Sequence, residues 1–299
     1  HVVPPAYAEW LAAKGELAGG LPIPTWTATS ALELMDRHSV RTAVLSVSTP
    51  QTHLGDDAEA IAMSRAVNDF AASVVAAHPG RFGFFATLPL PLVDASLDEL
   101  QRSLDELHAD GVVLLANHRG IYLGDARFDP LFEELQRRGT VVFVHPSILP
   151  GLEAIDGIPA YVADFLLDTT RAAVNLCRSG TVDRCPDVKF ILSHAGGFLP
   201  YAAFRLSQAA SPSGNPVEGL DLLQRFYFDI ALSGSPTALP SLLEFARPGH
   251  VLFGSDWPYA PAAAVAAFTG MYEMHQIDAD RRASIDHGAA EALFPRLRR

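Results

Sequence analysis

Four apolar stretches of this chain each end on a residue that is able to bind a metal or transfer a proton. The four residues are His145, His194, Asp229 and Asp256. Neutral imidazole and carboxylate groups are good zinc ligands, and both can move protons. If the apolar stretches are parallel strands, their ends meet at one rim, and the four side chains can face one cavity. This pattern predicts a metal-dependent site with an open position for water or substrate.

Each of these residues also has an ordinary structural interpretation. A histidine at a strand end is often a hydrogen-bonded structural residue, and this applies to His145 and to His194 alike. Asp256, in the stretch Gly-Ser-Asp-Trp-Pro, would then cap a turn, and Asp229 a helix or loop. The coincidence of two histidines and an aspartate at equivalent positions favours the metal site.

Further residues are candidates for contact with a substrate. Arg205 follows the glycine pair at 196–197 by one helical stretch, and a guanidinium group binds a carboxylate through two parallel hydrogen bonds. A solvated surface arginine is the alternative. His118 and His53 lie in loops after predicted strands. Aromatic residues that would line a pocket, or else only fill the barrel, are Trp26, Phe84, Phe85, Phe198, Trp257 and Tyr259.

The charge of the chain excludes some classes of partner. The chain has 299 residues and a net charge of −12. A nucleic-acid binder needs a basic patch, and the sequence has no run of Lys and Arg, so neither nucleic acid nor an anionic membrane is expected as a partner. An acidic chain still binds a small carboxylic acid if a metal or one arginine supplies local positive charge.

Hydropathy and cysteine content favour a cytoplasmic protein. We find no apolar run of membrane-spanning length and no signal peptide, although a segment upstream of His1 could be missing. Cys177 and Cys185 are too few for a disulfide framework, and they do not form a CxxC pair. Two reduced thiols are the simplest interpretation, and they fit a reducing compartment.

The elements that would position these residues follow a strand–helix rhythm. The predicted strands are 41–48, 81–88, 111–115, 141–145, 189–194, 226–229 and 251–254. The predicted helices are about 57–78, 95–108, 129–138, 165–179, 199–208, 236–245 and 262–275, with a last one after Asp280. The strands are continuous apolar runs, which is typical of strands buried on both faces of a parallel sheet.

These elements predict an α/β fold, a (β/α)8 TIM barrel formed by residues 1–299 as a single domain. Only seven strands are present, and we expect the missing first strand just before His1. The alternative, an open doubly wound sheet, usually carries a phosphate-binding glycine fingerprint after an early strand, and none occurs here. The proline-rich stretch at 19–27 is expected to be irregular, and 211–216 is expected to be a flexible loop.

The ordered motifs of the chain resemble the amidohydrolase-2 branch, whose members include aminocarboxymuconate-semialdehyde decarboxylase and γ-resorcylate decarboxylase. Residues 1–5 resemble the end of the family's opening His-x-His motif. The other matching motifs are 122–125 with 128–132, 144–146, 193–200 with Arg205, and 253–258. Within the branch, the chain most resembles the 6-methylsalicylate decarboxylase-like group, through residues 24–26, 43–46, 81–85 and 107–112.

The resemblance implies roles for particular residues. His1, His145 and Asp256 would bind one divalent metal ion, zinc first and manganese as the alternative. The first ligand of the opening motif would lie two positions before His1. No lysine stands after the fourth strand to bridge two metals, which favours a single ion. His194 would serve with Asp256 in catalysis, as an acid, a base or a residue that orients the substrate.

The resemblance also implies substrate contacts and an assembly. Arg205 would contact a substrate carboxylate, in relatives sometimes from the neighbouring subunit of a dimer, so a homodimer is expected. Trp257, Phe198, Trp26 and His118 are the other expected substrate contacts.

The expected activity is non-oxidative decarboxylation of a small aromatic or unsaturated acid such as a hydroxybenzoate. Asp256 or a water on the metal would protonate the ring carbon before CO2 leaves, and His194 would tune that proton's pKa. The same ligands would support an alternative activity, hydrolysis of a lactone or amide by water activated on the metal. A ligand-binding barrel with a decayed site is a third hypothesis, and only the missing first ligand supports it.

Overall fold

The computed structural model describes residues 1–153 and 155–298 and contains a curled sheet of seven parallel strands. The order in the sheet is β1-β2-β3-β6-β7-β8-β9. These strands are β1 Ala43–Leu45, β2 Phe82–Thr87, β3 Gly111–Leu115, β6 Val141–His145, β7 Lys189–Leu192, β8 Tyr227–Asp229 and β9 Val251–Leu252. A separate two-stranded hairpin consists of β4 Asn117–His118 and β5 Ile121–Tyr122.

Helices surround the sheet and connect consecutive strands. They are α1 Pro5–Lys14, α2 Ala28–Arg37, α3 Asp57–Ala77, α4 Val93–Asp105, α5 Asp129–Arg138, α6 Ala160–Arg178, α7 Thr181–Arg184, α8 Leu199–Ala210, α9 Pro216–Leu223, α10 Ala238–Phe245, α11 Ala262–Met274, α12 Ala279–Ala283 and α13 Ala289–Leu293. Short irregular helical turns lie at Ala126–Phe128, His194–Gly196, Ser284–Gly288 and Pro295–Leu297.

Local sequence signals account for several helix boundaries. The Asp56 side chain accepts a hydrogen bond from Glu59 N and so caps the start of α3. Thr27 and Ser30 form a reciprocal capping box at the start of α2. Helix α5 ends at Gly139, whose left-handed backbone (φ 61°) is readily adopted only by glycine.

Apolar side chains fill the inside of the curled sheet. The rings of Phe85 and Phe143 stack there with centroids 5.5 Å apart. Val113 and Ile191 complete this inner cluster, and Phe294 from the C-terminal segment closes it from below, 5.7 Å from the ring of Phe85. All five residues of β3 are buried, which confirms the prediction of strands covered on both faces.

The first two residues lie between the edge strands of the sheet. Val2 N donates to Ser46 O, just beyond β1, and His1 N donates to Trp257 O, beyond β9. The sheet is therefore curled as in a TIM barrel, and the predicted barrel architecture is confirmed with seven strands. The eighth strand predicted before His1 falls outside the sequence.

The predicted elements agree closely with the observed ones in the middle of the chain. Strands β3 and β6 and helix α5 have the predicted bounds. The prediction did not include helices α1, α2, α7 or α9. None of these helices directly follows an apolar strand run, and the prediction looked for helices only in that position. The stretch at 19–27 is largely irregular as predicted, with one isolated bridge between Ala18 and Leu21.

Two further sequence observations have structural counterparts. Among residues 1–153 and 155–298, no helix is both long enough and apolar enough to cross a membrane. Cys177 and Cys185 are both buried free thiols. Burial raises the pKa of the Cys185 thiol, which makes its reactive thiolate form rarer.

Candidate metal centre and substrate cavity

Three of the predicted residues meet at the rim of the barrel. His1, His145 and Asp256 each offer one ligand atom, and these three atoms lie within 4.8 Å of one another. Nε2 of His1 is 3.0 Å from Oδ1 of Asp256. The rings of His1 and His145 meet edge to face with centroids 5.0 Å apart. The three side chains therefore converge on one point, as a shared cation requires.

The second ring nitrogen of each histidine is held by a neighbouring group. Nδ1 of His145 lies 2.8 Å from Pro146 O, and because a carbonyl only accepts, Nδ1 carries the proton. Nε2 of His145 then presents its lone pair toward the cluster. Nδ1 of His1 lies 2.7 Å from the Ser46 hydroxyl, and this contact orients the ring so that Nε2 faces Asp256. This is how outer groups normally orient metal-binding histidines, so the donor set fits a divalent ion.

The charge states of the cluster also suit a cation. Burial, followed by the influence of His1 and His194, lowers the pKa of His145 well below its usual value, so this imidazole is neutral. Burial alone would raise the pKa of Asp256. The hydrogen bond from His1 and the nearby imidazoles outweigh it, so the pKa of Asp256 lies below its usual value. Two imidazoles and one carboxylate are a common zinc or manganese donor set.

His194 lies beside the cluster and is held there by Asp229. The rings of His194 and His145 have centroids 5.8 Å apart. Oδ1 of Asp229 accepts hydrogen bonds from His194 N at 2.8 Å and from Ala231 N at 3.0 Å. Asp229 therefore caps the backbone of this loop from a buried position. This is the structural interpretation of Asp229 given in the sequence analysis. Burial raises the pKa of this carboxyl group.

Unusual backbone conformations occur at the same rim. His194, Ala195 and Asp256 all have positive φ values, of 54°, 57° and 57°. Such conformations cost about 1–3 kcal/mol each, and they persist where the surrounding structure holds them, often at active sites. The hydrogen bond from His194 N to Asp229 is one contact that holds the strained segment.

The glycine pair after His194 is required for packing. A Cβ atom at Gly197 would lie 2.1 Å from Leu166 O, and one at Gly196 would lie 2.8 Å from the Phe228 ring. Both residues also have positive φ. The two glycines therefore turn the chain tightly against α6 and β8, where a larger residue would not fit.

A cavity of about 710 Å³ opens directly above the donor cluster. Its walls include Phe165, Phe198, Leu232 and Phe268, together with His145, His194 and Asp256 from the rim. In the part of the chain that the structure describes, no Lys or Arg lines this cavity. Positive charge for a substrate carboxylate must therefore come from an ion on the cluster or from another molecule.

The polar groups of the cavity include one hydroxyl with no partner. Tyr259 lines the cavity, and its ring meets the His1 ring edge to face at 5.5 Å. The Tyr259 hydroxyl is buried and has no hydrogen-bond partner among the described residues. Burial raises the pKa of Tyr259, so this group is a neutral donor that is available to a bound substrate.

The other predicted substrate contacts are placed differently. Phe198 lines the cavity, and Trp257 lies next to Asp256 in a neighbouring cleft that also holds His1. Trp26 does not line the cavity; it is buried against Phe70. His118 is also outside the cavity, buried, with Nε2 accepting from Leu115 N at 3.1 Å. Burial lowers the pKa of His118 to about 3, so it is a neutral structural residue.

Arg205 does not face the cavity of its own chain. It lies on the exposed face of α8 next to Phe204, which is 83% exposed, and near Tyr201, which is 88% exposed. The expectation that Arg205 contacts substrate within one chain thus finds no geometric support. From this position, Arg205 can contact only the cavity of a second copy of the chain.

Sequence reasoning missed the residues that orient the cluster. Ser46 holds His1, and Ser48 Oγ lies 3.4 Å from Nε2 of His145. Both serines belong to the run 46–48 after β1, where alternating serines in an otherwise apolar strand end are the available signal. Tyr259 was recognised only as an aromatic wall, and its unpartnered hydroxyl could not be inferred from sequence.

Comparisons with known proteins agree with this fold and show the family. The sequence model of the family described as amidohydrolase matches residues 1–296. The chain is similar to 6-methylsalicylic acid decarboxylase of Penicillium expansum, with 40% identity over 309 residues, 100% of this chain and 95% of the relative. A solved structure of an amidohydrolase II superposes with a TM-score of 0.94 at 30% identity, covering 99% of this chain and 97% of that one.

One similar structure contains a metal. A dihydroxybenzoic acid decarboxylase from Polaromonas sp. JS666, solved with bound manganese and the inhibitor 2-nitroresorcinol, superposes with a TM-score of 0.80. Its identity is 26%, and the match covers 99% of this chain and 92% of that one. The family resemblance predicted from sequence is confirmed, including the likeness to the 6-methylsalicylate decarboxylase group.

Proposed function

This chain belongs to the amidohydrolase family, and from that membership we propose that it is a metal-dependent decarboxylase of a small aromatic carboxylic acid. The observation that carries the proposal is the convergence of His1, His145 and Asp256 beneath a cavity with largely apolar walls. The similarity to a 6-methylsalicylic acid decarboxylase over the whole chain supports the reaction type.

The metal is proposed to be one divalent ion held by His1, His145 and Asp256. Zinc is our first choice, because two imidazoles and a carboxylate suit it, and manganese is the alternative, supported by the manganese in the similar Polaromonas structure. When bound, the ion would supply the positive charge that orients a substrate oxygen.

The cavity supports a benzoate with an apolar ring substituent as the substrate. Phe165, Phe198, Leu232 and Phe268 offer apolar contact to a ring and a methyl group. Tyr259 offers a hydroxyl donor to an oxygen of the substrate. A 6-methylsalicylate-type acid carries both features, a polar hydroxy-acid edge and an apolar methyl edge.

Asp256 and His194 are proposed to carry the proton. Loss of CO2 directly from an aromatic ring leaves an aryl carbanion, so a proton must reach the ring carbon first. Because the pKa of Asp256 lies below its usual value, its carboxylate would first take up a proton from water and then deliver it to the ring carbon. The nearby His194 would stabilise the charge that develops in this step. The bond between the ring and the carboxyl carbon then breaks. Its electron pair stays with the ring and restores aromaticity as CO2 leaves.

Residues 1–299 are proposed to work as one domain in a homodimer. Exposed apolar side chains surround the cavity mouth on α6 and α8, where Tyr161 and Tyr201 also line the cavity. A second copy packed there would cover these residues and would bring its Arg205 toward the cavity, which has no cation of its own in the described residues. We also propose a cytoplasmic location, supported by the two buried free thiols.

A product analysis tests the proposal. The purified protein, loaded with zinc or manganese, is incubated with 6-methylsalicylate, with 2,6-dihydroxybenzoate and with a panel of aryl lactones and amides. We expect release of CO2 and formation of 3-methylphenol from 6-methylsalicylate. Ring-opened or hydrolysed products without CO2 would instead establish a hydrolase and contradict the proposal.

A further inference from the structure

Asp168 is a buried carboxylate that lies outside the metal cluster and the cavity. It belongs to α6 and has no solvent exposure. Its Oδ2 accepts a hydrogen bond from Ser147 N at 2.8 Å. Nδ2 of Asn117 donates to both carboxylate oxygens, at 3.0 and 3.1 Å. Burial raises the pKa of this carboxyl group, and the hydrogen bonds that Ser147 and Asn117 donate oppose that shift. These partners together suit an ionised carboxylate, which only accepts.

A single peptide group joins Asp168 to the metal cluster. The N–H of Ser147 and the C=O of Pro146 belong to the same peptide unit, which is trans. Asp168 accepts from the N–H end, and Nδ1–H of His145 donates to the C=O end at 2.8 Å. The chain of contacts therefore runs from the carboxylate through one rigid peptide plane to the imidazole of a proposed metal ligand.

We propose that Asp168 is a positioning residue of the metal centre, acting on His145 through the Pro146–Ser147 peptide. The inference relies on the proposed metal centre but not on the reaction that it performs. Asp168 holds the peptide plane at one orientation, so that the Pro146 carbonyl faces Nδ1 of His145. That contact keeps the proton on Nδ1 and directs the Nε2 lone pair toward His1 and Asp256.

The charge of Asp168 matters as well as its shape. A negative charge at the N–H end of a peptide polarises the group, so its carbonyl oxygen becomes a stronger acceptor. A stronger acceptor on Nδ1 makes Nε2 more basic and a better ligand, as a carboxylate does when it binds a metal-ligating histidine directly. Asn117 helps to fix the position of Asp168. Its Nδ2 donates to the Asp168 carboxylate, and its Oδ1 accepts from Gly120 N.

The first test is metal affinity without substrate. Zinc and manganese, each added alone to metal-free protein, are titrated against a competing chelator in wild type and in Asp168→Asn. We expect affinity to fall by about 10-fold in the variant, the low end of the range for groups that hydrogen-bond a metal ligand directly, because Asp168 acts one group further out. Wild-type affinity in Asp168→Asn would overturn the proposal.

The second test reads the tautomer of His145 in the metal-free protein. Nitrogen-15 spectra of labelled histidine side chains report which ring nitrogen carries the proton, and His145→Ala identifies the signal. In Asp168→Asn we expect the Nδ1–H signal of His145 to shift or broaden toward a mixture of tautomers. An unchanged signal would also overturn the proposal. This readout needs neither metal nor turnover, so it stays informative if the proposed reaction is wrong.

Two control variants separate positioning from general damage. Glu99→Gln changes another buried carboxylate, on α4, which accepts a hydrogen bond from Asn68 at 2.7 Å. Ser147→Ala removes the side chain of Ser147 but keeps the N–H that Asp168 accepts. Both controls should retain the wild-type metal affinity and His145 spectrum, even if Glu99→Gln lowers stability. Loss of affinity equal to that of Asp168→Asn in either control would overturn the proposal.

A double variant keeps the proposal testable if Asp168→Asn does not fold. Asn117→Asp with Asp168→Asn retains one carboxylate and one carboxamide in the same buried pair. It moves the negative charge away from Ser147 N. We expect the double variant to bind zinc and manganese as weakly as Asp168→Asn should. Wild-type affinity in the double variant would show that any carboxylate–carboxamide pair at positions 117 and 168 is sufficient. It would contradict the role assigned to the negative charge of Asp168.

Discussion

Nε2 of His1 lies 3.0 Å from Oδ1 of Asp256, although 255 positions separate the two residues in the chain. The contact joins the first residue of the sequence to the loop beyond β9, and the backbone bond from His1 N to Trp257 O reinforces it. The proposed metal centre and the join between the two edges of the sheet therefore share these contacts. Perturbing the centre should affect both activity and stability, and the predictions below separate the two.

Removal of metal should abolish decarboxylation and lower stability. A chelator is expected to leave folded but inactive protein, and added zinc or manganese should restore turnover. Because an ion binds only the folded state, it should stabilise the protein by about 2.7 kcal/mol at a concentration 100 times its Kd. Thermal unfolding with and without metal measures this difference. His145→Ala is the control, and an equal metal-dependent gain in that variant would place the ion elsewhere.

Asp256 and His194 should have separable effects on metal binding. Asp256→Asn weakens a proposed ligand, so both metal content and kcat should fall. His194→Ala removes a neighbour that is not in the donor cluster, so metal content should stay near that of wild type. In His194→Ala, kcat should drop by about 100-fold or more, in the range of an acid–base group. Elemental analysis and single-turnover rates test this, and full turnover in both variants would refute the assignments.

Tyr259→Phe should lower activity without a loss of stability. The Tyr259 hydroxyl is buried without a partner, so its removal costs no internal hydrogen bond and relieves an unsatisfied group. If the hydroxyl donates to substrate, kcat/KM should fall by about 10-fold, equivalent to about 1.4 kcal/mol. Tyr227→Phe, whose ring stacks on His250 outside the cavity, should leave kcat/KM unchanged. An equal kcat/KM in the two variants would show that the Tyr259 hydroxyl does not contact the substrate.

The stability of the protein should depend on pH through His118. Burial lowers the pKa of His118 from 6.5 to about 3 in the folded state. Between these values the unfolded state binds the extra proton, so the free energy of unfolding decreases as pH falls from 6.5 toward 3. At pH 5 the loss should be about 2 kcal/mol relative to pH 8.

His118→Gln tests this pH dependence against a surface control. In His118→Gln the free energy of unfolding, measured with urea, should decrease less between pH 8 and pH 5 than in wild type, because glutamine does not titrate. His287 is exposed, and His287→Gln should keep the pH dependence of the free energy of unfolding that the wild type shows. A wild-type slope in His118→Gln would mean that other groups dominate the pH dependence.

The exposed apolar side chains of α8 should hold the dimer together. Phe204→Asp places a charge at the proposed interface and is expected to yield monomers in sedimentation velocity, with reduced decarboxylation because Arg205 of a second copy is lost. Met274 is 78% exposed on α11, away from the cavity mouth, and Met274→Asp should leave the assembly unchanged. A wild-type protein that sediments as a monomer at full activity would contradict the proposed dimer.

Several features could be predicted from sequence because they depend on local pattern. Continuous apolar runs such as 111–115 and 141–145 predict buried strands, since only strands covered on both faces bury every side chain. The end of each run then marks the rim of the barrel. His145, His194, Asp229 and Asp256 were found in this way, and the order of the motifs led to the correct family.

Other features required the tertiary structure because they depend on side-chain direction across long separations. His118 and Trp26 stand in loops that sequence places near the rim, but packing turns both side chains away from the cavity. Asp168 lies in the middle of a helix and has no local mark of function, and only folding brings it to Ser147 N. A strand run specifies which residues are buried, whereas the closure of the sheet decides which of them meet.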